Sequence, residues 1–347
     1  MLILGIETSC DETAAAVACG QKGRVQILSN IVASQINIHK KYGGVVPEVA
    51  AREHVLNILP VIDKALTRTD IKLSQAPKKL KAIAVTIGPG LITSLQVGVE
   101  TAKALAYAWR LPIVGLNHIE AHIYANFIQN SKQSNKQTKF PAIVLTVSGG
   151  HTILILMRGH GQYKIIGQTR DDAAGEAFDK AAKLLNLGYP GGPAIAKAAK
   201  LNQEQSIIKL PRPMLNSSNF DFSFSGLKTA LRYALAKDKN WHKKIPAYAA
   251  EFQEAVTDVL VAKTIKAAKI YHAKTIMLAG GVSANQHLRE KITQTIKIKL
   301  PNIHFSLPDL TYTTDNAAMV AAAGYFKVHK KLYTPWPKLK ADCNLGF

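Results

Sequence analysis

The sequence predicts an α/β protein built from two copies of one domain, and two observations carry that prediction. Residues 2–33 and residues 142–168 each read as three successive strands joined by glycine-containing turns. The same further elements then follow in each half: a helical pattern and a short buried strand, at 47–68 and 82–86 in the first half and at 175–187 and 275–279 in the second. Because this order occurs twice, we expect duplicated domains with a nucleotide cleft between them.

The domain boundaries follow from a polar stretch in the middle of the chain. Residues 129–139 are almost free of apolar side chains, which is typical of a linker. We therefore assign residues 1–128 to an N-terminal domain and residues 140–314 to a C-terminal domain. A helical pattern appears near 314–331, and we expect the C-terminal helix 315–347 to pack back on the first domain.

The composition is that of a globular protein without a membrane span. Of the 347 residues, 47% are apolar and 19% are charged. The apolar runs stay below the roughly 20 residues that a spanning helix needs. The beginning of the chain turns acidic at Glu7, where a secretory or mitochondrial leader would be basic. The three cysteines lack the Cys-x-x-Cys spacing, so we expect free thiols, a cytoplasmic location and no membrane contact.

The net charge of +21 is unevenly distributed along the chain. Residues 1–125 carry a balance of +4, whereas residues 126–347 carry +17. This excess predicts that the second half faces a polyanion such as tRNA. A solvated lysine-rich surface is the alternative, because the sequence has no arginine-rich arm and no RNA-binding aromatic motif.

Two histidines four residues apart are the candidate metal ligands. On a helix, His118 and His122 would project from one face and could share a cation. Ile119 occupies the position where zinc peptidases place a general-base glutamate, so a peptidase is poorly supported. Asp315, at the expected start of the last helix, is a possible third ligand. Two metal-free histidines, and a helix cap at Thr314 or Asp315, stay open as alternatives.

Three glycine turns follow predicted strands, at 88–90, 148–152 and 279–285. Small residues let backbone N–H groups approach a phosphate or carbamoyl oxygen closely. Ordinary punctuation at the end of a strand is the alternative for each turn taken alone. Three such turns after core strands of both halves favour a nucleotide site.

Two acidic stretches interrupt the basic sequence. Glu176 and Asp179 are three residues apart, so on a helix they would share a face and could accept hydrogen bonds from ribose hydroxyls. Acidic residues that favour a helix dipole are the alternative. Asp11 and Glu12 lie at the first hairpin turn, where they could face a phosphate or a metal, or simply form a turn.

Taken together and in order, these segments resemble the tRNA N6-adenosine threonylcarbamoyltransferase family, formerly called O-sialoglycoprotein endopeptidases. The resemblance covers essentially the whole chain. It is carried by ten blocks: GIETSCDET (5–13), YGGVVPE (42–48), GPGL (88–91), HIEAH (118–122), VSGGHT (147–152), DDAAGEAFDK (171–180), YPGGP (189–193), DFSFSGLK (221–228), AGGVSAN (279–285) and TDN (314–316). The resemblance implies the actin/Hsp70-like (RNase H-like) two-domain fold, in the bacterial form because no kinase domain is fused.

The resemblance also implies a reaction and its site. The threonylcarbamoyl group of threonylcarbamoyl-AMP would pass to N6 of the adenosine beside the anticodon in tRNAs that read ANN codons, and AMP would leave. One divalent metal ion per subunit, Fe(2+) as the first expectation and Zn(2+) as the second, would be held by His118, His122 and Asp315. Our own hypothesis for this reaction is that Asp11 or Glu12 accepts the proton. The adenylate would contact eight residues of the second half: Thr146, Val147, Ser148, Gly149, Gly150, Asp179, Gly192 and Asn285.

Partners follow from the same resemblance. Besides tRNA and threonylcarbamoyl-AMP, they are a paralogous actin-like subunit (TsaB type), a P-loop ATPase subunit (TsaE type) and an adenylate synthase (TsaC type). The apolar positions of 45–66 are a candidate interface for the paralogue, with a purely internal role as the alternative. A metal-dependent endopeptidase and an ATPase or sugar kinase of the same fold are the rival functions.

Overall fold

The computed structural model describes residues 1–129, 138–202 and 208–347. Most of the linker expected at 129–139 therefore lies outside the described residues.

The chain divides into two compact units. Unit 1 comprises Met1–Lys136 together with Pro308–Phe347, and unit 2 comprises Gln137–Leu307. Unit 1 is thus discontinuous in sequence, because the last segment of the chain belongs to it.

Unit 1 contains one five-stranded sheet. Its strands are β1 (Leu2–Glu7), β2 (Glu12–Gln21), β3 (Arg24–Ser34), β4 (Leu80–Gly88) and β5 (Ile113–Asn117). Their order in the sheet is β3-β2-β1-β4-β5. The first three strands form an antiparallel meander, whereas β4 and β5 run parallel to β1. The parallel strands are almost fully buried, and their carboxyl ends meet at one edge of the sheet.

Five helices lie between or after these strands in the first part of unit 1. They are α1 (Ile36–His39), α2 (Pro47–Thr67), α3 (Ala76–Lys79), α4 (Ile92–Trp109) and α5 (His118–Tyr124). Helices α2 and α4 contribute their apolar sides to a core on one face of the sheet, and α5 belongs to the core on the other face. Proline in the first turn of α2 suits a helix start, because the first backbone N–H groups need no partner within the helix.

Unit 2 repeats the same sheet. Its strands are β6 (Ala142–Val147), β7 (Thr152–Gly159), β8 (Gln162–Gln168), β9 (Thr275–Ala279) and β10 (His304–Ser306). The order β10-β9-β6-β7-β8 places each strand where its counterpart lies in unit 1, with the same antiparallel and parallel pairings. The predicted duplication of an α/β domain is confirmed.

The helices of unit 2 surround this second sheet. They are α6 (Ala174–Leu184), α7 (Gly191–Ala199), α8 (Ser225–Lys237), α9 (Ile245–Ile270) and α10 (Gln286–Lys299). Their buried side chains join those of the sheet in a single core. Helix α10 follows the turn that ends β9, so its N-terminus lies at the carboxyl edge of the sheet.

The last helix, α11 (Ala317–His329), completes the core of unit 1. Eleven of its residues are buried, and a Cβ at Gly5 of β1 would lie 2.5 Å from the carbonyl oxygen of Ala317. The helix begins later than expected, because the side chain of Asn316 caps it by accepting a hydrogen bond from the Met319 N–H (3.1 Å). The expected cap at Thr314 or Asp315 is therefore wrong. The helix is also shorter than 315–347, since it ends at His329.

None of the described helices is both long enough and apolar enough to cross a membrane.

Candidate active site

The two candidate histidines lie on a short helix that is firmly capped. Strand β5 ends at Asn117, whose side-chain oxygen accepts hydrogen bonds from the backbone N–H groups of Ile119 (2.8 Å) and Glu120 (3.4 Å). This cap starts α5 at His118, so His118 and His122 are one turn apart. Both are buried, and their ring centroids are 4.6 Å apart.

The carboxylate of Asp315 lies close to both imidazole rings. Its Oδ1 lies 3.1 Å from Nε2 of His122 and 3.5 Å from Nε2 of His118, although the aspartate is 193 residues from His122 in sequence. The three potential ligand atoms all lie within 4.8 Å of one another. Donors held about 2.1 Å from one ion at tetrahedral to octahedral angles are themselves about 3.0 to 3.5 Å apart. The two distances to Asp315 match this range, and the two-nitrogen, one-oxygen donor set could hold a metal ion.

A second group of side chains fixes the orientation of His118. Its Nδ1 lies 3.2 Å from Oε2 of Glu7 and 3.1 Å from Oγ of Ser9. Glu7 is fully buried and is itself held by the Ser9 N–H (2.6 Å) and the Thr86 hydroxyl (2.6 Å). A carboxylate behind a ligating histidine is the usual way in which proteins fix the tautomer and raise the basicity of such a ligand.

The electrostatics of this cluster favour a cation. Burial opposes charge on both Glu7 and His118, but their mutual attraction keeps the pKa of Glu7 below its usual value. Although burial opposes it, the charges of Asp315 and Glu7 together raise the pKa of His118 to about 9. Burial and the neighbouring His118 lower the pKa of His122. The carboxylates of Glu7 and Asp315 thus favour positive charge at His118, which either a proton or a metal ion could supply.

Asp11 and Glu12 are buried beside this cluster, at the start of β2. Burial, together with the charges of Asp315 and Asp11, raises the pKa of Glu12 to about 10. Glu12 therefore holds a proton at neutral pH in the metal-free protein, and a cation near Asp315 would lower this pKa. Burial and the same carboxylates raise the pKa of the Cys10 thiol, which makes Cys10 a poor nucleophile.

The expected adenylate contacts of unit 2 begin at the end of β6. Thr146 and Val147 are its last residues, and Ser148 follows in a turn. In this turn, the backbone N–H of His151 donates a hydrogen bond to the Ser148 hydroxyl oxygen (3.1 Å). Gly149 and Gly150 have open space where a Cβ would stand, with no other atom within 4 Å. The backbone of this turn is therefore accessible to a ligand.

The first turns of α6 and α7 adjoin this region. The N–H of Gly175 in α6 donates to the Ser148 carbonyl (3.1 Å). Asp179 of α6 accepts a hydrogen bond from the Gly191 N–H (2.7 Å) at the start of α7, and burial raises the pKa of Asp179. Gly192 also has open space at its Cβ position, so the backbone at the start of α7 is accessible to a ligand as well.

Asn285 caps α10 through the Leu288 N–H (2.9 Å) and donates to the side chain of Gln253 (2.9 Å). The turn that precedes it is pressed against β6, because a Cβ at Gly280 would lie 2.4 Å from the Val147 carbonyl oxygen. The positive φ of 84° at Gly280 favours glycine for the same turn. The eight expected contacts thus lie in unit 2, along or next to the carboxyl edge of its sheet.

Two buried hydroxyls at this edge have no hydrogen-bond partner among the described residues. They are Oγ1 of Thr146 and Oγ of Ser283, each at most 1% exposed. Thr146 pairs with Ala279 on the neighbouring strand, four residues before Ser283. Buried polar groups are nearly always satisfied in proteins, so these two hydroxyls are candidate contacts for a ligand.

Sequence reasoning missed Glu7, Ser9, Thr86 and Ser283. The GIETSCDET block contains both Glu7 and Ser9, but a charged residue at the end of a predicted strand gave no sign of a partner 111 residues away. A strand pattern that ends in Glu, followed two residues later by Ser, is too common to indicate the support of a metal ligand.

Glu120, which lies between the two histidines in sequence, has an ion-pair partner outside the cluster. Glu120 forms a salt bridge with Lys327 of α11 (2.8 Å). It is therefore not placed as the general base of a peptidase, in agreement with the argument from Ile119.

A comparison with protein families identifies the relatives of this chain. The family model described as tRNA N6-adenosine threonylcarbamoyltransferase matches residues 26–322. The chain belongs to the tRNA N6-adenosine threonylcarbamoyltransferase family. The family predicted from the ten sequence blocks is confirmed.

Members of this transferase family are similar along almost the whole chain. The transferase of Desulfitobacterium hafniense is 50% identical over 336 residues, which cover 96% of this chain and 94% of the relative. That of Dehalococcoides mccartyi is 53% identical over 327 residues, with 94% of each chain covered. That of Geobacillus thermodenitrificans is 51% identical over 324 residues, with 93% of this chain and 90% of the relative covered.

Solved structures place the transferase in a wider fold class. HypF of T. kodakarensis matches 95% of this chain with 48% of its own length, at a TM-score of 0.62 and 14% identity. The activator of 2-hydroxyisocaproyl-CoA dehydratase from Clostridium difficile matches 96% of this chain with 99% of its own, at a TM-score of 0.51 and 13% identity. At such low identity, structural similarity shows the fold alone. It confirms the predicted actin/Hsp70-like fold class.

Proposed function

We propose that this protein transfers a threonylcarbamoyl group from threonylcarbamoyl-AMP to N6 of an adenosine beside the anticodon of tRNA. The observation that carries the proposal is the convergence of His118, His122 and Asp315 within 4.8 Å in a member of this transferase family. The family assignment favours this reaction over the endopeptidase and the ATPase or sugar kinase.

The reaction needs positioning more than it needs a side-chain nucleophile. The adenylate is already activated, so N6 attacks the carbamoyl carbon, a C–N bond forms, and the C–O bond to phosphate breaks as AMP leaves with the electron pair. The lone pair of N6 is delocalised into the purine, which makes it a weak nucleophile. Holding the two reactants in line is therefore the main contribution that we assign to the protein.

Unit 2 would bind the adenylate. The open turn at Gly149 and Gly150 and the unpaired hydroxyl of Thr146 support this assignment. Backbone N–H groups of that turn would stabilise negative charge that develops on the carbamoyl oxygen. The remaining contacts to AMP would come from Val147, Ser148, Asp179, Gly192 and Asn285.

In unit 1, His118, His122 and Asp315 would hold one divalent ion per subunit, with Fe(2+) preferred and Zn(2+) as the alternative. When bound, such an ion supplies Lewis-acid polarisation of a carbonyl oxygen. Asp11 or Glu12, which are buried beside the cluster, would accept the proton released from N6. Glu12 would do so only with a cation near Asp315, which would lower its raised pKa and leave the carboxyl group ionised.

A basic surface of unit 2 supports contact with tRNA. Unit 2 carries 24 basic and 11 acidic side chains. Residues 225–244, which contain α8, hold six of these basic side chains and a single acidic one, Asp238, which is paired with Lys244 (2.9 Å). Five basic residues of this segment make no salt bridge within the described residues: Lys228, Arg232, Lys237, Lys239 and Lys243. We name these five residues the α8 basic surface.

The α8 basic surface begins close to α6, one of the helices beside the proposed adenylate site. Asp171, three residues before the start of α6, accepts hydrogen bonds from the Phe224 N–H (2.7 Å) and the Ser225 hydroxyl (2.6 Å), so it ties the beginning of α8 to α6. Arg232 also lies 5.4 Å from the ring centroid of Tyr233, whose side chain is 58% exposed. Cationic and aromatic groups that lead away from a nucleotide site suit the backbone and bases of an RNA.

A surface of unit 1 is suited to the paralogous actin-like subunit. Val55, Leu56 and Leu59 of α2 are each at least 60% exposed, whereas other apolar residues of the helix enter the core. We propose this strip as the interface with the paralogue. The P-loop ATPase subunit and the adenylate synthase complete the proposed partners, and the cytoplasm, where tRNA takes part in translation, is the proposed location.

The function is tested by replacing one ligand. His122→Ala should abolish threonylcarbamoyl transfer, measured by nucleoside analysis of tRNA after reaction with purified partners, and should remove bound metal. Binding of tRNA should be unchanged. Glu120→Gln is the matched control, because Glu120 lies on the same helix and faces Lys327 instead of the metal ligands. Full transfer by metal-free His122→Ala would contradict the proposed role of the cluster.

A further inference from the structure

The last residues of the chain return to the helix that carries the histidines. Leu339 is fully buried in the unit 1 core, and the Asp342 N–H then donates to the Ile87 carbonyl at the end of β4 (2.8 Å). The backbone turns at this point, because the Leu345 N–H donates to the Asp342 carbonyl (3.3 Å). We call residues 342–346 the tail clasp.

The tail clasp contacts the start of α5 through Asn117. The side-chain nitrogen of Asn117 donates to the carbonyl oxygens of Gly346 (3.0 Å) and Leu345 (3.5 Å). The side-chain oxygen of the same residue caps α5. One amide therefore joins the clasp to the helix whose first residue is the proposed ligand His118.

A second connection runs through the GPGL turn. A Cβ at Gly88 would lie 1.9 Å from the Asp342 carbonyl oxygen, so the clasp lies directly against this turn. Two residues later, a Cβ at Gly90 would lie 2.4 Å from the Ser9 carbonyl oxygen, and the Leu91 N–H donates to that oxygen (2.8 Å). The hydroxyl of Ser9 in turn contacts Nδ1 of His118 (3.1 Å).

We propose that the tail clasp is a positioning element of the metal centre, which holds His118 in ligating geometry through Asn117 and through the GPGL turn with Ser9. The inference rests on the proposed metal site. Helix α5 has only seven residues, and so short a helix is not stable by itself. Ligand atoms must lie within a few tenths of an ångström of their bonding positions. External contacts at the first turn of α5 therefore determine how well the site is formed before metal binds.

Two variants test the two connections. Truncation after Ala341 removes the whole clasp. Asn117→Asp keeps an oxygen that caps α5 but removes the N–H donor to Leu345 and Gly346. Each should weaken the binding of Co(2+) to the metal-free protein by about tenfold, the scale on which supporting contacts of metal ligands act. The absorption spectrum of bound Co(2+) should change as well, since it reports ligand geometry, whereas the melting temperature of metal-free Asn117→Asp should stay near that of the parent protein.

The combined variant distinguishes positioning from a general effect on folding. Both changes remove the contact of Asn117 with the clasp. The loss of Co(2+) affinity in the truncated Asn117→Asp protein should therefore be smaller than the product of the fold-losses in the two single variants. Lys340→Ala, an exposed position just before the clasp, should leave affinity and spectrum unchanged. Parent-like affinity and spectrum in both single variants would overturn the inference. Failure of the parent protein to bind Co(2+) would instead overturn the proposed metal site and the inference with it.

Discussion

Nδ1 of His118 lies 3.2 Å from Oε2 of Glu7, a carboxylate with no solvent exposure. This contact leaves Nε2, the other ring nitrogen, to face Asp315. A buried carboxylate costs free energy unless it is hydrogen-bonded and paired, and Glu7 has both the Ser9 N–H and the Thr86 hydroxyl in addition to the imidazole. Glu7 thus connects His118 to two neighbouring segments of unit 1, through Ser9 and through Thr86 of β4.

Glu7→Gln should therefore impair the metal centre more than the fold. The amide keeps the shape and one acceptor but loses the charge that holds the His118 ring, so metal affinity should fall about 10- to 100-fold. Titration of the metal-free protein with Zn(2+) measures this change. Thr13→Ser, elsewhere on the same sheet, is a control that should bind metal as the parent does. Unchanged affinity in Glu7→Gln would show that the carboxylate is not part of the support for His118.

Thr146→Val should separate ligand binding from stability. The substitution removes a buried hydroxyl without a partner and keeps the side-chain shape, so the free energy of unfolding should be unchanged or slightly higher. If that hydroxyl binds the adenylate, the Kd for a non-hydrolysable adenylate analogue should rise about two- to tenfold, which corresponds to one hydrogen bond. Chemical denaturation and calorimetric titration give the two values. A less stable protein with parent-like ligand affinity would contradict the assignment.

Charge reversal on the α8 basic surface should weaken tRNA binding. Lys228→Glu with Arg232→Glu removes two cations and adds two anions, so affinity should fall at least about tenfold at low salt, and the dependence of affinity on salt should become shallower. Lys297→Glu with Lys299→Glu on α10 changes the net charge equally and serves as the matched control. Filter binding across a salt series measures both pairs. Equal losses in the two double variants would indicate a general effect of charge instead of a defined surface.

Gly5→Ala should connect the packing of α11 to the metal site. A Cβ at this position would meet two backbone atoms of the helix, the Ala317 oxygen at 2.5 Å and the Ala321 nitrogen at 2.7 Å. Backbone cannot move aside as a flexible side chain can, so the variant should lose about 1–3 kcal/mol of stability or more. Because Asp315 lies two residues before α11, metal affinity should fall as well. Gly44→Ala, where no atom lies within 4 Å, is the neutral control, and thermal unfolding with metal titration tests both.

Local patterns predicted the elements well and their long-range partners poorly. The strands β6 and β9 were expected at almost their observed bounds, because continuous apolar runs between turns are clear signals of buried strands. The start of α11 was misplaced because three consecutive residues, Thr314, Asp315 and Asn316, are all good caps, and only packing decides which of them is used.

The candidate site shows the same division. His118 and His122 are visible as a pair because one helix turn brings them together, which is a local relation. The support from Glu7 depends on strand order, and the unpaired hydroxyl of Ser283 depends on the packing around it, so neither property can be derived from residue spacing. The eight expected adenylate contacts came from the family resemblance, and their role stays a prediction.

The discontinuity of unit 1 has a consequence for biosynthesis. A ribosome releases Met1–Lys136 first, yet α11, which completes the core on one face of the sheet, and Asp315 are missing until the last part of the chain emerges. Unit 2 can complete its core earlier, because all of it precedes residue 308. Binding of a metal ion at the proposed centre would then have to wait for nearly the whole chain, and nascent chains stalled before Pro308 should expose part of an apolar sheet face that chaperones can bind.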